Sequence, residues 1–254
     1  MSPAPAFVSL GAYGRELAER VGQAELARIA ALAGADGVEF RAELQRGGAD
    51  ELPAQREVVR EHGLAAVWSS PDGLWDAAGR LDSEAIGRAF DTARALGAGR
   101  VKMSLGGYRS GAALDAMLPW LQRSDIELIV ENDQTDGAGT LPPLLDFFER
   151  CRALGRRVPM TFDIGNWCWT GEDPLAAAIA LGRQVGYIHC KGVQRLPAQW
   201  VAVPLQASAA PWRSVLRQLP GGVPRAIEYP LQGDELVPLT RAHLALLRAA
   251  EVAP

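Results

Sequence analysis

The chain has 254 residues, 48% of them hydrophobic, which is enough for a large core in one domain and close to the length of an eight-fold α/β barrel. Its formal net charge is -4 and its pI is near 5.5, which excludes the basic surplus of a phosphate-backbone binder, so no nucleic-acid partner is expected. Three cysteines, Cys151, Cys168 and Cys190, without a CxxC spacing, exclude a disulfide framework and a thiolate zinc site and predict a reducing, cytoplasmic compartment. The opening MSPAPAFVSL carries no basic-then-apolar leader and no apolar run approaches membrane-spanning length, so neither a signal peptide nor a membrane partner is expected.

In chain order, short apolar runs alternate with helical periodicities. FVSL at 7–10 reads as a first strand, and 17–32 as a helix, because Leu17, Val21, Leu26, Ile29 and Leu32 keep helical spacing up to Gly34. DGVEFR at 36–41 is the second strand, 51–62 a helix stopped by Gly63, and LAAVWSS at 64–70 the third strand, ended by a Pro-Asp-Gly turn. A helix over 83–96 has Asp82 or Ser83 as its cap, and RVKMS at 100–104 is the fourth strand. The helix over 112–123 contains Pro119, which should kink it or end it early. Strands follow at 126–131, 159–163, 185–189 and 225–229, separated by helices at 141–154, 173–181 and 212–219 and closed by one at 237–250. Strand-then-helix units recur about every 30 residues, the size of one βα repeat, and no composition shift marks a second domain. The spacing predicts a single (β/α)8 barrel of α/β class over the whole chain, 1–254. An open doubly wound sheet is the alternative, but no strand is followed by GxGxxG.

The fifth to eighth predicted strands each end on a residue that binds metal or moves protons: Glu131, Asp163, His189 and Glu228. Read singly, such a residue is more often a helix cap or an ion-pair partner. Side chains alternate along a strand, so Ile129 and Glu131 share a face, as do Thr161 and Asp163, Tyr187 and His189, Ala226 and Glu228. In parallel α/β folds chemistry gathers at the carboxyl ends of strands. Three carboxylates and an imidazole converging there form a site for a divalent ion of the Mn, Mg, Co or Zn type, and without a cation such carboxylates would repel.

With GVEFR, IVEND, FDIGN, IHCK and IEYP in this order, the chain resembles the xylose isomerase-like superfamily of sugar phosphate isomerases and epimerases. In its ketose 3-epimerase branch the positions matched by Glu131, Asp163, His189 and Glu228 bind the metal. The resemblance further implies that Glu131 and Glu228 are the acid/base pair, and that Arg195, six residues after His189, contacts substrate. Two positions depart from that branch. Asn166 stands where it often has His, and Gly192 replaces the Asp of a frequent His-x-Lys-Asp ending. The superfamily also contains dehydratases and DNA-repair endonucleases. The endonucleases hold a His-rich zinc cluster, whereas this chain has only His62, His189 and His243.

Other candidates surround these four. Glu39 and Arg41 share a face of the second strand and either reach a substrate or form a structural ion pair. Lys102 points with Ser104, as a substrate ligand or as a paired structural lysine. Lys191 shares the face of His189, Asn166 can bond a hydroxyl, and Trp167 is a candidate aromatic wall, with Trp68 and Trp169 also near strand ends. His62 and His243 are expected on the surface. The expected chemistry is proton transfer beside a carbonyl of a ketose or keto-acid, through an enediolate, in an isomerase or epimerase. A dehydratase shares the first step, and a non-catalytic sugar-binding barrel is the reading from another class. The partner is a small sugar or keto-acid, and a homo-oligomer is left open.

Overall fold

The computed structural model describes residues 3–122 and 125–250. Met1, Ser2 and Arg123, the last residue of one predicted helix, lie outside them, as do residues 251–254 at the end of the expected domain. The strands β1 (Ala6–Ser9), β2 (Gly37–Arg41), β3 (Ala65–Trp75), β4 (Arg100–Gly106), β5 (Glu127–Glu131), β6 (Met160–Asp163) and β7 (Val185–Cys190) pair in parallel with their neighbours in chain order. The strands β8 (Gly192–Arg195) and β9 (Trp200–Val203) form a separate antiparallel hairpin, and β10 (Arg225–Ile227) closes the barrel between β7 and β1. The result is a closed barrel of eight parallel strands ringed by helices, a (β/α)8 fold.

The helices are α1 (Arg15–Val21), α2 (Gln23–Leu32), α3 (Leu52–His62), α4 (Ser83–Leu96), α5 (Leu118–Leu121), α6 (Leu141–Ala153), α7 (Pro174–Leu181), α8 (Trp212–Gln218) and α9 (Leu236–Ala249). Their starts follow local chemistry. Asp82 caps α4 by accepting from the Ala85 amide at 2.9 Å, and Asp173 caps α7 by accepting from the Leu175 amide at 2.8 Å, just ahead of Pro174. α4 buries Ile86, Ala89, Phe90, Ala93 and Leu96, a single stripe laid on the barrel wall.

Three local expectations need correction. The helix over 17–32 is two helices, because Gly22 takes φ +80° between α1 and α2, a conformation that glycine alone adopts freely. The helix over 112–123 shrinks to a 3-10 turn at Asp115–Met117 followed by the single turn of α5, which carries Pro119 in its first turn. The turn after the third strand is instead absorbed into β3 as a bulge between Ser69 and Gly73, and the strand continues to Trp75. The β8–β9 hairpin occupies the stretch between the seventh strand and α8, for which the sequence predicts no element.

Two apolar regions hold the barrel. The larger lies between strands and helices. The smaller, Phe7, Val67, Ile129, Tyr187 and Ala226, lies inside, two residues before Ser9, Ser69, Glu131, His189 and Glu228 on their strands. Alternation along a strand therefore puts a buried, largely apolar layer beneath a polar one. Among the described residues no helix is long and apolar enough to cross a membrane.

Candidate metal centre

The carboxyl ends of β5, β6, β7 and β10 bring Glu131, Asp163, His189 and Glu228 together, each with one ligand atom within 4.8 Å of the others. The register explains how strands of different length do this. Glu131 is level with Thr161, and Asp163, one inward step higher, is level with His189. His189 in turn faces Ala226, and Glu228 follows one step beyond, just past the end of β10. The stagger of a closed barrel thus carries the four side chains round its mouth.

Each of the four has one polar atom bonded outside the group and one turned toward the others. His189 donates from Nε2 to Glu39 Oε2 at 2.8 Å, which leaves Nδ1 facing Glu131 Oε1 at 2.8 Å and Glu228 Oε2 at 2.7 Å. Asp163 Oδ1 accepts from the amides of Gly165 and Asn166, at 2.8 and 3.0 Å, while Oδ2 lies 3.8 Å from His189 Nδ1. Glu228 Oε1 accepts from Arg41 Nη1 at 2.7 Å, and Glu131 Oε2 accepts from Lys102 Nζ at 2.6 Å. Asp163 Oδ2, His189 Nδ1 and Glu228 Oε2 are buried and lack a hydrogen bond of regular geometry. Asp163 Oδ2 and Glu228 Oε2 face the Lys191 ammonium, at 2.8 and 3.1 Å, and carboxylate oxygens and an imidazole nitrogen gathered within 4.8 Å of one another are a donor set that fits a cation. Their hard oxygen and imidazole set suits Mn, Mg, Co or Zn without choosing among them.

The charges around the centre follow the same logic. Burial would lower the His189 pKa, but Glu228 and Glu39 outweigh it and hold the imidazole well above its ordinary value. Burial would raise Glu39, yet His189 and Lys102 bring it down to about 2. Burial likewise opposes, without reversing, the downward pull of His189 and Lys191 on Glu228 and of Lys102 and His189 on Glu131. Asp163 goes the other way: burial and the Glu228 charge raise it against the pull of Lys191.

The other sequence candidates divide by where the fold puts them. Glu39 is fully buried behind His189, where it orients the imidazole. Arg41 bridges Glu228, Glu39 and Glu43. Lys102 is buried on Glu131 and Glu39, and Lys191 Nζ lies 2.8 Å from Asp163 Oδ2 and 3.1 Å from Glu228 Oε2 at the rim. Asn166 is engaged rather than open. Its carbonyl accepts from Lys191 and Gln134, and its amide donates to the Asn132 carbonyl. Trp167 is fully buried against Phe162, whose side chain alternates with the inward Thr161 and Asp163, so the indole belongs to the outer layer. Arg195 is exposed on β8 and lies over the Trp200 ring at 5.4 Å. His62 and His243 are half-buried rather than surface residues, and His243 bonds Tyr229.

The structure also reveals contributors that sequence reasoning missed. Asn132, next to Glu131 in IVEND, exchanges two hydrogen bonds with the Asp163 backbone, at 2.8 and 3.1 Å, and so locks β6 to the end of β5. A buried Asn right after a strand-end Glu was the available signal. Gly192 has a steric reason. The carbonyls of Val203 and Pro204 lie where its Cβ would be, so the aspartate of the family pattern has no room beneath the hairpin. A cavity of about 320 Å³ opens beside Glu228 and Arg41, with Ser9, Arg15 and Ala202 of β9 among its walls. A larger one, about 520 Å³, opens at the opposite end around Pro5, Arg100 and Pro224, remote from this chemistry.

A sequence profile described as xylose isomerase-like TIM barrel matches residues 27–249. The chain belongs to that family. No curated protein sequence matches it. Among solved structures, the xylose isomerase-like barrel is similar to D-allulose 3-epimerase from Methylomonas sp., at 15% identity and TM-score 0.67 over 97% of this chain and 99% of that one. It is also similar to a probable 3-DHS dehydratase, AsbF, from Bacillus anthracis, at 13% identity and TM-score 0.63 over 97% and 98% of the two chains. A third is a xylose isomerase-like TIM barrel protein from Mycobacterium smegmatis in complex with magnesium, at 16% identity and TM-score 0.63 over 98% and 96%. At these identities the likeness is one of fold.

Proposed function

We propose that this xylose isomerase-like barrel is a metal-dependent isomerase or epimerase of a ketose or keto-acid, working by proton transfer through an enediolate. One observation carries the reading: Glu131, Asp163, His189 and Glu228 each bring one ligand atom to the same point at the barrel mouth, all within 4.8 Å of one another. A divalent ion held by these four would supply Lewis acidity toward a carbonyl and its neighbouring hydroxyl. Glu131 and Glu228 approach that point from different sides of the mouth, one on β5 and one after β10, three strands away round the barrel. Either carboxylate can take the proton beside the carbonyl while the other returns one, and the choice of face sets the stereochemistry. Lys191, charged and close to Asp163 and Glu228, is placed to bond a substrate oxygen. The buried layer of Phe7, Val67, Ile129, Tyr187 and Ala226 lies beneath the centre. A cytoplasmic setting suits Cys151, Cys168 and Cys190, which are all unpaired.

Lys191 also favours a second reading. An ammonium beside Glu228 can protonate a departing β-hydroxyl after the first proton is removed, which would make the enzyme a dehydratase. Incubating the protein with Mn²⁺ and a panel of keto-sugars and keto-acids in deuterated water tests both. Deuterium beside the carbonyl with the formula otherwise unchanged supports the isomerase or epimerase; loss of water supports the dehydratase. Absence of exchange with every substrate of both classes, in protein shown to hold Mn²⁺, would reject the common first step.

A further inference from the structure

Lys102 lies on β4, one inward step below Ser104, the register partner of Glu131. Its side chain is 2% exposed, and its ammonium reaches Glu131 Oε2 at 2.6 Å and Glu39 Oε1 at 3.3 Å. Filling this position with an apolar residue, as Val67 and Ile129 fill the neighbouring layer, would avoid the cost of burying a charge. The ammonium instead touches one candidate ligand and the residue that orients another. We propose that Lys102 is a positioning residue that holds Glu131 to one ligating oxygen and weakens the grip of the centre on a divalent ion. This rests on the metal-dependent reading above.

Two features carry it. Glu131 Oε2 is occupied by Lys102 Nζ, whereas Oε1 lies 2.8 Å from His189 Nδ1, at the point of convergence. Ligation through both oxygens would require the ammonium to leave Glu131, and among the described residues the other carboxylate within ion-pair distance of it is that of Glu39. The second feature is charge. A fixed cation inside the same buried cluster repels a divalent ion at short range, where solvent and salt screen little. Lys191 and Arg41 add charge to the same cluster but do not hold Glu131: Lys191 pairs with Asp163 and Glu228, and Arg41 with Glu228 and Glu39.

Calorimetric titration of the full chain with Mn²⁺ tests the proposal on the wild type, Lys102→Met and Lys102→Gln. The Met variant keeps the stem and removes the charge; the Gln variant removes the charge but keeps a donor for Glu131. Both should bind Mn²⁺ at least about tenfold more tightly than wild type. The Mn²⁺ electron paramagnetic resonance spectrum should change in the Met variant, where Glu131 gains its second oxygen, and stay near wild type in the Gln variant. Circular dichroism establishes folding, and if the Met variant fails to fold, the Gln affinity decides. Equal or weaker Mn²⁺ binding by the folded variants overturns the role of Lys102 and leaves the metal reading standing. Absence of Mn²⁺ binding by wild type and variants alike overturns both.

Discussion

Glu131 and Glu228 combine two tasks, ligation and proton transfer, and substitution by Gln separates them in part. An amide keeps the size and one carbonyl oxygen but cannot act as a base. Glu131→Gln and Glu228→Gln should each lower turnover by about 10² or more at saturating Mn²⁺, measured by substrate exchange in deuterated water. Normal turnover in either variant would make that glutamate structural. Glu39 acts one step removed, through His189 Nε2. Glu39→Gln should weaken Mn²⁺ binding by about 10-fold or more without removing a ligand, because the tautomer and angle of His189 are no longer imposed. The same residue gives a pH dependence. Its carboxyl is held at about 2 against an ordinary 4.5, so it contributes stability that is present above pH 4.5 and lost as the pH falls toward 2. Melting of the metal-free wild type should therefore drop over that window, and the drop should be smaller in Glu39→Gln.

At the scale of elements, the β8–β9 hairpin separates this chain from the strand-seven ending that the family pattern suggested. Gly192 begins the hairpin, and the carbonyls of Val203 and Pro204 pack against its bare Cα. Gly192→Asp, which would restore the family pattern, should destabilise the protein by about 1–3 kcal/mol, the range for overpacking a filled site, as measured by urea unfolding. A variant as stable as wild type would show that the hairpin can lift away. Because Ala202 of β9 lines the cavity beside Glu228, loosening the hairpin should also raise the KM for whichever substrate is found. The bulge in β3 makes a related point. Pro71 and Gly73 read locally as a turn, but pairing with β4 resumes at Gly73 opposite Ser104 and carries the strand on.

At the scale of the whole molecule, the centre links the carboxyl ends of four strands, so an ion there ties half of the barrel mouth together. Ligand binding to the folded state alone stabilises it by RT ln(1 + [L]/Kd), about 2.7 kcal/mol at a hundredfold excess over Kd. For a domain of this size that corresponds to a rise in melting temperature of roughly 5–10 °C. Differential scanning calorimetry with Mn²⁺, reversed by a chelator, should show it. An unchanged melting temperature at Mn²⁺ concentrations that saturate the calorimetric titration would mean that the ion binds elsewhere or to the unfolded chain as well.

The barrel and the alignment of four chemically active residues at strand ends are legible in the sequence. Both depend on local chemistry: apolar runs of strand length, period-two alternation that puts Glu131 with Ile129 and His189 with Tyr187, and caps such as Asp82 and Asp173 that start helices where they stand. Which atoms of those residues are turned toward one another depends on contacts between distant strands. The tie from Glu39 to His189 joins residues 150 positions apart, and that from Arg41 to Glu228 spans 187. The same holds for Trp167 and Arg195, whose nearness to strand ends says nothing of which layer or rim they occupy until Phe162 and Trp200 are in place. Partners at such separations leave no periodicity to read, because they are selected by the stagger of a closed barrel and by the need of each buried charge for an opposite one.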